Sequence, residues 1–361
     1  MKTIMLSLTK IAILLCAITI TNAQTTFTVD NTPDSGAQFS NLQDAIDAAS
    51  DGDIIYVQQS GAAYSSTAAD GNLRLDKSLT LIGRSHSDEF YRTQIVTLIL
   101  EDGSSNSIIR GFNITGSGLI IKSLNDNVVL NNYSIEDNFI NGVSIGRQSS
   151  TQADYTVSNV SVTGNVVINK MDVGTDVSNI ILSNNYFTGS SNGGSAFDIS
   201  EPLNVIISNN IFRPGSGSNF YMRSPGVLNI TDSVFLISSI FRISGDFSLN
   251  NCGFTNTSGN MVVPDNGVAV QNINNGIFNV DSNDFADCFF NFQFLPRNCD
   301  VPAGSPLIGA GANGGNIGFQ QNFIFKYLGN PKGVPEVKVT NYTGATTSNG
   351  TVTFNIEAKS N

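Results

Sequence analysis

The chain has 361 residues, 40% hydrophobic and 13% charged, with 23 Phe, 34 Gly and 44 Asn but one His and no Trp. Low charge with many aromatics excludes a disordered chain, and a formal charge of −11 argues against nucleic acid as a partner. A single His excludes any site that needs two or three, and the length allows one large domain or two ordinary ones.

Lys2 and Lys10 flank the start of an apolar stretch, Ile11 to Ile20, and Thr21-Asn22-Ala23 supplies the small residues that a signal peptidase reads. Residues 1–23 are therefore expected to be a secretory signal, with cleavage after Ala23. The stretch is too short to span a membrane, and no longer one follows. Leu15 before Cys16 is too large for a lipid-attachment site. Losing Lys2 and Lys10 takes the charge from −11 to −13. Cys252, Cys288 and Cys299 remain, so at most one pair can form within the chain, with Cys288 and Cys299 the nearest in sequence.

Ser40-Asn41-Leu42-Gln43 reads as a capping box with Ser40 at the cap. Leu42, Ala45, Ile46 and Ala49 then form the apolar stripe of a short helix, which Asp51-Gly52 stops. Ile54-Ile55-Tyr56-Val57 and Leu79-Thr80-Leu81-Ile82-Gly83 read as the first strands.

A repeat follows. Ile180-Ile181-Leu182-Ser183-Asn184-Asn185-Tyr186-Phe187 recurs as Val205-Ile206-Ile207-Ser208-Asn209-Asn210-Ile211-Phe212. The shared form is an alternating apolar pair, a polar turn, and an apolar residue two positions beyond the turn residue. Seven copies fit, with pairs Tyr133/Ile135, Val160/Val162, Ile180/Leu182, Val205/Ile207, Leu228/Ile230, Phe247/Leu249 and Phe278/Val280. Their turn positions are Asn138, Asn165, Asn185, Asn210, Ser233, Cys252 and Asn283, followed by Ile140, Val167, Phe187, Phe212, Phe235, Phe254 and Phe285. The turn positions lie 27, 20, 25, 23, 19 and 31 residues apart. Such a unit is too short for a helix plus a strand, and alternation means strands with one buried face. One turn of a parallel β-solenoid fits, with like residues stacked about 4.8 Å apart. Stacked Asn side chains can then bond from rung to rung, and Asn tolerates the left-handed backbone of a tight corner.

Ser305-Pro306-Leu307-Ile308-Gly309-Ala310-Gly311 and Asn316-Ile317-Gly318 read as a closing rung. In the tail, 321–361, Val337/Val339 and Val352/Phe354/Ile356 alternate around Ser348-Asn349-Gly350, a hairpin signal.

The Asn-turn-aromatic repeats resemble those of right-handed parallel β-helix proteins, the pectin-lyase-like superfamily, over roughly residues 25–320. The resemblance implies an all-β fold in which the short N-terminal helix covers the open solenoid end, the β-helix fills 24–320, and 321–361 forms a C-terminal cap with a hairpin. It does not imply one chemistry, since many activities sit on this scaffold.

A second strand per rung follows the Phe column. Its expected inward residues are Ile145, Val173, Ile199, Met222, Ile243 and Val263. Its outward neighbours are Ser144, Asp172, Asp198, Tyr221 (with Arg223 at the strand end) and Arg242. Arg grips carboxylate or sulfate with two prongs, Tyr lies against a sugar ring, and the Asp pair accepts hydroxyl hydrogen bonds or takes a cation such as Ca2+. Asp172, Asp198, Tyr221, Arg223 and Arg242 are thus candidates for binding sugar, against the plainer reading of a solvated sheet face.

The catalytic patterns of the resembled superfamily are incomplete here. The only His, His86, precedes Ser87, so the His-Gly dipeptide of polygalacturonase-like hydrolases is missing. Pectate lyases carry a Trp-containing motif, and this chain has no Trp. Arg223-Ser224-Pro225 begins their Arg-x-Pro-x-x-Arg pattern, but Leu228 stands where the second Arg belongs. Lyases on this fold also pair Lys and Arg beside Ca2+. Lys170 with Arg223 or Arg242, next to Asp172 and Asp198, is the nearest equivalent. His86 reads as a solvated loop residue, and Asp281-Ser282-Asn283-Asp284 as part of the ladder rather than a calcium loop. The Asn-x-Ser/Thr triplets at Asn113, Asn132, Asn159, Asn229, Asn256, Asn341 and Asn349 are expected from composition.

Three functions fit: a secreted, monomeric, non-catalytic binder of extracellular polysaccharide or cell-surface glycan, a polysaccharide lyase or hydrolase with an atypical site, and a structural adhesin. The incomplete motifs favour the first.

Overall fold

The computed structural model describes residues 24–85, 92–149, 151–189, 197–200, 203–214, 220–224, 228–236, 241–244, 247–255, 262–264, 271–281, 285, 301–320, 336–342 and 354–359. An eleven-stranded sheet runs from Thr26–Val29 to Gln271–Asn274, and a fourteen-stranded sheet takes the other strands of each turn. Neighbouring strands within both are parallel, which makes the chain a parallel β-solenoid. The helix Leu42–Ala48 buries Leu42, Ala45 and Ile46 in the same core.

Alternation builds this core. In the first sheet Ile109, Ile135, Val162, Leu182, Ile207 and Ile230 stack in register, and all are buried. In the second sheet the Phe187, Phe212, Phe235, Phe254 and Phe278 rings stack with centroids 5.2, 4.9, 5.3 and 5.3 Å apart. Their planes lie within 17° of parallel, an offset-stacked geometry favoured by aromatic quadrupoles.

The turn between the sheets sets the register. Asn138, Asn165, Asn185 and Asn210 are fully buried. Each Oδ1 of Asn165, Asn185 and Asn210 accepts the backbone N–H of the ladder residue one rung before, at 2.9–3.0 Å, and its side-chain amide, at 3.1–3.3 Å. Each Nδ2 also donates to a carbonyl of the preceding rung, for example Asn185 to Val162 O at 2.8 Å. Ser233 continues the column by accepting from Asn210 N at 3.1 Å, and Cys252 follows it. The residue before each ladder position is left-handed: Asp137, Asn184, Asn209, Asp232, Asn251 and Asn275 have φ of 50–57°, and Gly164 has 71°.

Four expectations need correction. The seventh copy is not Phe278/Val280 with Asn283 and Phe285. Leu249 pairs with Ile273 and Phe254 with Phe278, so the last described rung carries Gln271/Ile273, turn position Gly276 and Phe278. One member of its apolar pair is polar and its turn residue is Gly, which hid it. The helix cap is Asn41, not Ser40. Asn41 accepts from Gln43 N and Asp44 N, while Gln43 turns away to bond the backbone of Arg74. The first strand is Thr26–Val29, upstream of those read from sequence.

The last correction concerns the closing rung. The outward column Val166, Tyr186, Ile211 and Val234 is apolar and needs cover. Leu307, Ile317 and Phe319 supply it, packed in one cluster with those residues and Phe285. Segment 301–320 is therefore a lateral strap. The left-handed turn residues hold it: Asn209 donates to Gly318 O at 2.9 Å, Asn184 accepts from Gln320 N at 2.9 Å, and Asp232 Oδ1 accepts from Ala312 N at 2.7 Å. In the tail, Glu336–Tyr342 and Phe354–Lys359 pair as the expected antiparallel hairpin.

Replacing Asn185 by Ala strands the backbone N–H of Asn165 inside the protein and removes the donor to Val162 O, while Asn165 Nδ2 keeps Ile135 O and Thr163 O. The expected cost is about 3 kcal/mol, against less than about 1 kcal/mol for Asn179→Gly, where the side chain is exposed and glycine accepts the positive φ. Urea denaturation of both variants checks this. Equal losses would contradict a buried ladder that carries the register.

Candidate functional site

The second sheet divides at Val166–Val173. Val166 and Val167 are continued by Tyr186–Gly189 and Ile211–Pro214, whereas Met171–Val173 are continued by Phe197–Ile199, Phe220–Arg223 and Phe241–Ser244. Along the second branch Ser144, Asp172, Asp198, Arg223 and Ser244 share one register position. Met171, Val173, Phe197 and Ile199, on either side of the two aspartates, are buried. Alternation thus turns Asp172 and Asp198 away from the core.

Lys170 precedes Asp172 by two residues and so shares its face. Its Nζ lies 2.5 Å from Asp172 Oδ2 and 3.8 Å from Asp198 Oδ2. The lysine is 42% exposed, while the Asp198 side chain is 4% exposed. A charge at the surface thus sits over a carboxylate withdrawn from water, which offsets the cost of burying it. Lys170 also takes the position between the two carboxylates that a bound cation would need, and Ca2+ wants six to eight oxygens. Among the described residues no group of three or more His, Cys, Asp or Glu is placed to hold a metal.

The structure brings Lys170, Asp172 and Asp198 together and sets Arg223 in line with Asp198. It separates Tyr221 and Arg242 from them: these two pair with each other, two residues along the strand. Likewise Met222 stands with Phe197 rather than Ile199, and Ile243 with Pro264 rather than Val263. Asp198 is also buried, not solvated as a sheet face would have it. The error has a physical source. Between Ile199 and Met222 the slip is two residues, which leaves every side chain on its own face, so alternation cannot detect it; at Val263 it is one residue, and Val263 stands level with Arg242 rather than in the inward column. His86, Asn283, Cys288 and Cys299 lie outside the described residues. Cys252 is a free, buried thiol.

Sequence reading missed a second ladder. Asn106, Asn132, Asn159, Asn179 and Asn204 are exposed, and each is left-handed with φ of 56–68°. Each Nδ2 from Asn132 onward donates to the Oδ1 one rung before, at 2.9, 3.2, 3.1 and 3.1 Å. The signal was present: Asn stands immediately before Tyr133, Val160, Ile180 and Val205, the first apolar residue of four successive repeats. Asn132 and Asn159 also begin Asn-x-Ser triplets, and their amides are engaged in this ladder.

No protein-family model, curated protein or solved structure matches the chain.

Burial pushes the Cys252 thiol up to about 12, from an ordinary 9.0. In the native protein the peptide bearing Cys252 should stay unmodified by iodoacetamide at pH 8.5 and react once urea is added. Because the folded value is the raised one, stability from this group is complete below pH ~9 and falls as pH climbs toward ~12. Alkylation of Cys252 in the folded protein, read by peptide mass spectrometry, would contradict its place in the column.

Proposed function

We propose that the protein is secreted and binds an extracellular polysaccharide or cell-surface glycan without cleaving it, on a right-handed β-helix of the pectin-lyase-like kind. The apolar Ile11–Ile20 segment between Lys10 and the small residues Thr21-Asn22-Ala23 supports secretion. The observation that carries binding is the stacking of Asp172 and Asp198 in adjacent rungs under Lys170. Asp172, the more exposed of the two carboxylates at 18%, accepts a hydrogen bond from a sugar hydroxyl, and buried Asp198 one rung on helps to hold Lys170 in place, so little ordering cost remains. Lys170 donates to a ring or hydroxyl oxygen from the solvent side.

Two features favour binding over cleavage. The only lysine of the row is engaged by Asp172, with Nζ 2.5 Å from Oδ2, rather than open to a sugar proton. The superfamily's Arg-x-Pro-x-x-Arg pattern stops at Leu228. Arg223, level with Asp198, is the feature on which a lyase reading rests.

Retention on a panel of immobilised polysaccharides tests the proposal. Asp172→Asn with Asp198→Asn should weaken retention about tenfold or more, the scale of hydrogen bonds to charged groups. Arg223→Ala should weaken it more than Arg242→Ala, because only Arg223 shares the Asp198 column. Unchanged retention would remove the site. Release of unsaturated uronates or of reducing ends by the wild-type protein would replace binding with catalysis.

A further inference from the structure

The outer face of the eleven-stranded sheet carries two columns beside the exposed ladder. Ser134, Ser161, Ile181 and Ile206 stand in register in one. Thr163, Ser183, Ser208, Thr231 and Asn250 stand in the other. Their hydroxyls are partly exposed and close to one another: Ser161 and Thr163 oxygens are 3.1 Å apart, Thr163 and Ser183 oxygens 3.3 Å. From Ser161 to Asn250 neither column contains an ionisable residue, and neither does the ladder from Asn106 to Asn204. Ile181 and Ile206, neighbours in one column, are 42% and 55% exposed.

From these residues we propose that this face is a second binding surface, for a neutral polysaccharide in ordered, fibre-like packing, independent of the Lys170 row. The partner must match three properties. It is uncharged, because the face carries no charge from Ser161 to Asn250, beyond Glu136 and Arg110 on the two rungs before, while the chain as a whole carries −11 and repels polyanions. It repeats along one axis, because each rung presents the same amide in the same orientation. From Asn132 onward each ladder Asn spends one N–H on its neighbour, which fixes the side chain and leaves the second N–H and an oxygen lone pair for an outside group. Its surface alternates hydroxyls with C–H faces, as stacked pyranose chains do, because Ile181 and Ile206 interrupt the hydroxyl rows. Positive φ at each ladder position holds the array before any partner arrives, so little ordering cost is left for binding.

The full chain is mixed with microcrystalline cellulose and with chitin, and the unbound fraction is measured. Wild type should partition to at least one of the two solids, and Ser183→Asp with Ile206→Asp should lower that partition about tenfold. These positions face solvent, so folding is spared. Ser183→Thr, which keeps the hydroxyl, should behave as wild type. Asp172→Asn with Asp198→Asn should leave partition to the solids unchanged, which separates failure of this face from failure of the Lys170 row. No partition to either solid would overturn the proposal. So would aspartate variants that bind as well as wild type, or inhibition of ice recrystallisation without retention on the polysaccharides.

Discussion

A buried side-chain amide has four hydrogen-bonding sites and no water to fill them. In this solenoid the column Asn138–Asn165–Asn185–Asn210 meets that demand in one way: each oxygen serves the backbone and side chain of the rung before it, and each amide reaches a carbonyl there. A rung displaced by one residue would strand two donors and an acceptor, each costing about 1–3 kcal/mol. The ladder therefore fixes the height and register of every turn. The Phe stack fills the interior beside it but is less selective, since dispersion and burial have little direction. Toward the C-terminal end Ser233 and then Cys252 take the column's place, and the flank there gains the strap 301–320. The turn residues Asn184, Asn209 and Asp232 serve both structures: they bend the backbone and dock the strap.

Fixed register has consequences on the outside. Once the inner residues stack, the outer ones do too, whatever their chemistry. One outer row gathers Asp172 and Asp198 under Lys170. Another face gathers, from Ser161 to Asn250, hydroxyls and amides without charge. Both rows join residues a full turn apart in sequence. Asp172 and Asp198 are separated by a full turn of the chain, and each member of the exposed ladder by another turn. The proposed functions use that regularity: a fold that repeats itself suits a partner that does the same.

The architecture was legible in the sequence because the repeat writes it several times. Copies such as Ser183-Asn184-Asn185 and Ser208-Asn209-Asn210 fixed the strand, the turn and the stacking residue together. What was not legible has separate causes. The rung at Gln271–Phe278 lacked both the apolar pair and the Asn, so only pairing reveals it. The strap bonds residues 109 and 136 positions apart in sequence, and no local pattern encodes such contacts. In the candidate site, Asp172 and Asp198 were found because alternation assigns faces. Tyr221 and Arg242 were misplaced because alternation cannot count pairs of residues across loops of different length. The exposed ladder is written as the Asn before the first apolar residue of four repeats, but alternation marks that position only as outward and does not distinguish a bonded side chain from a solvated one.

In a parallel solenoid one rung of height separates equivalent residues, and spin labels read that height directly. Glu136, Thr231, Asn250 and Asn274 belong to one outward column, with Thr231, Asn250 and Asn274 four, five and six rungs from Glu136. Labels on Glu136 paired with each of the other three, measured by double electron–electron resonance, should give backbone separations of about 19, 24 and 29 Å, a constant step of ~4.8 Å. Separations that show no constant step, or that stay the same as the second label moves along the chain, would contradict it.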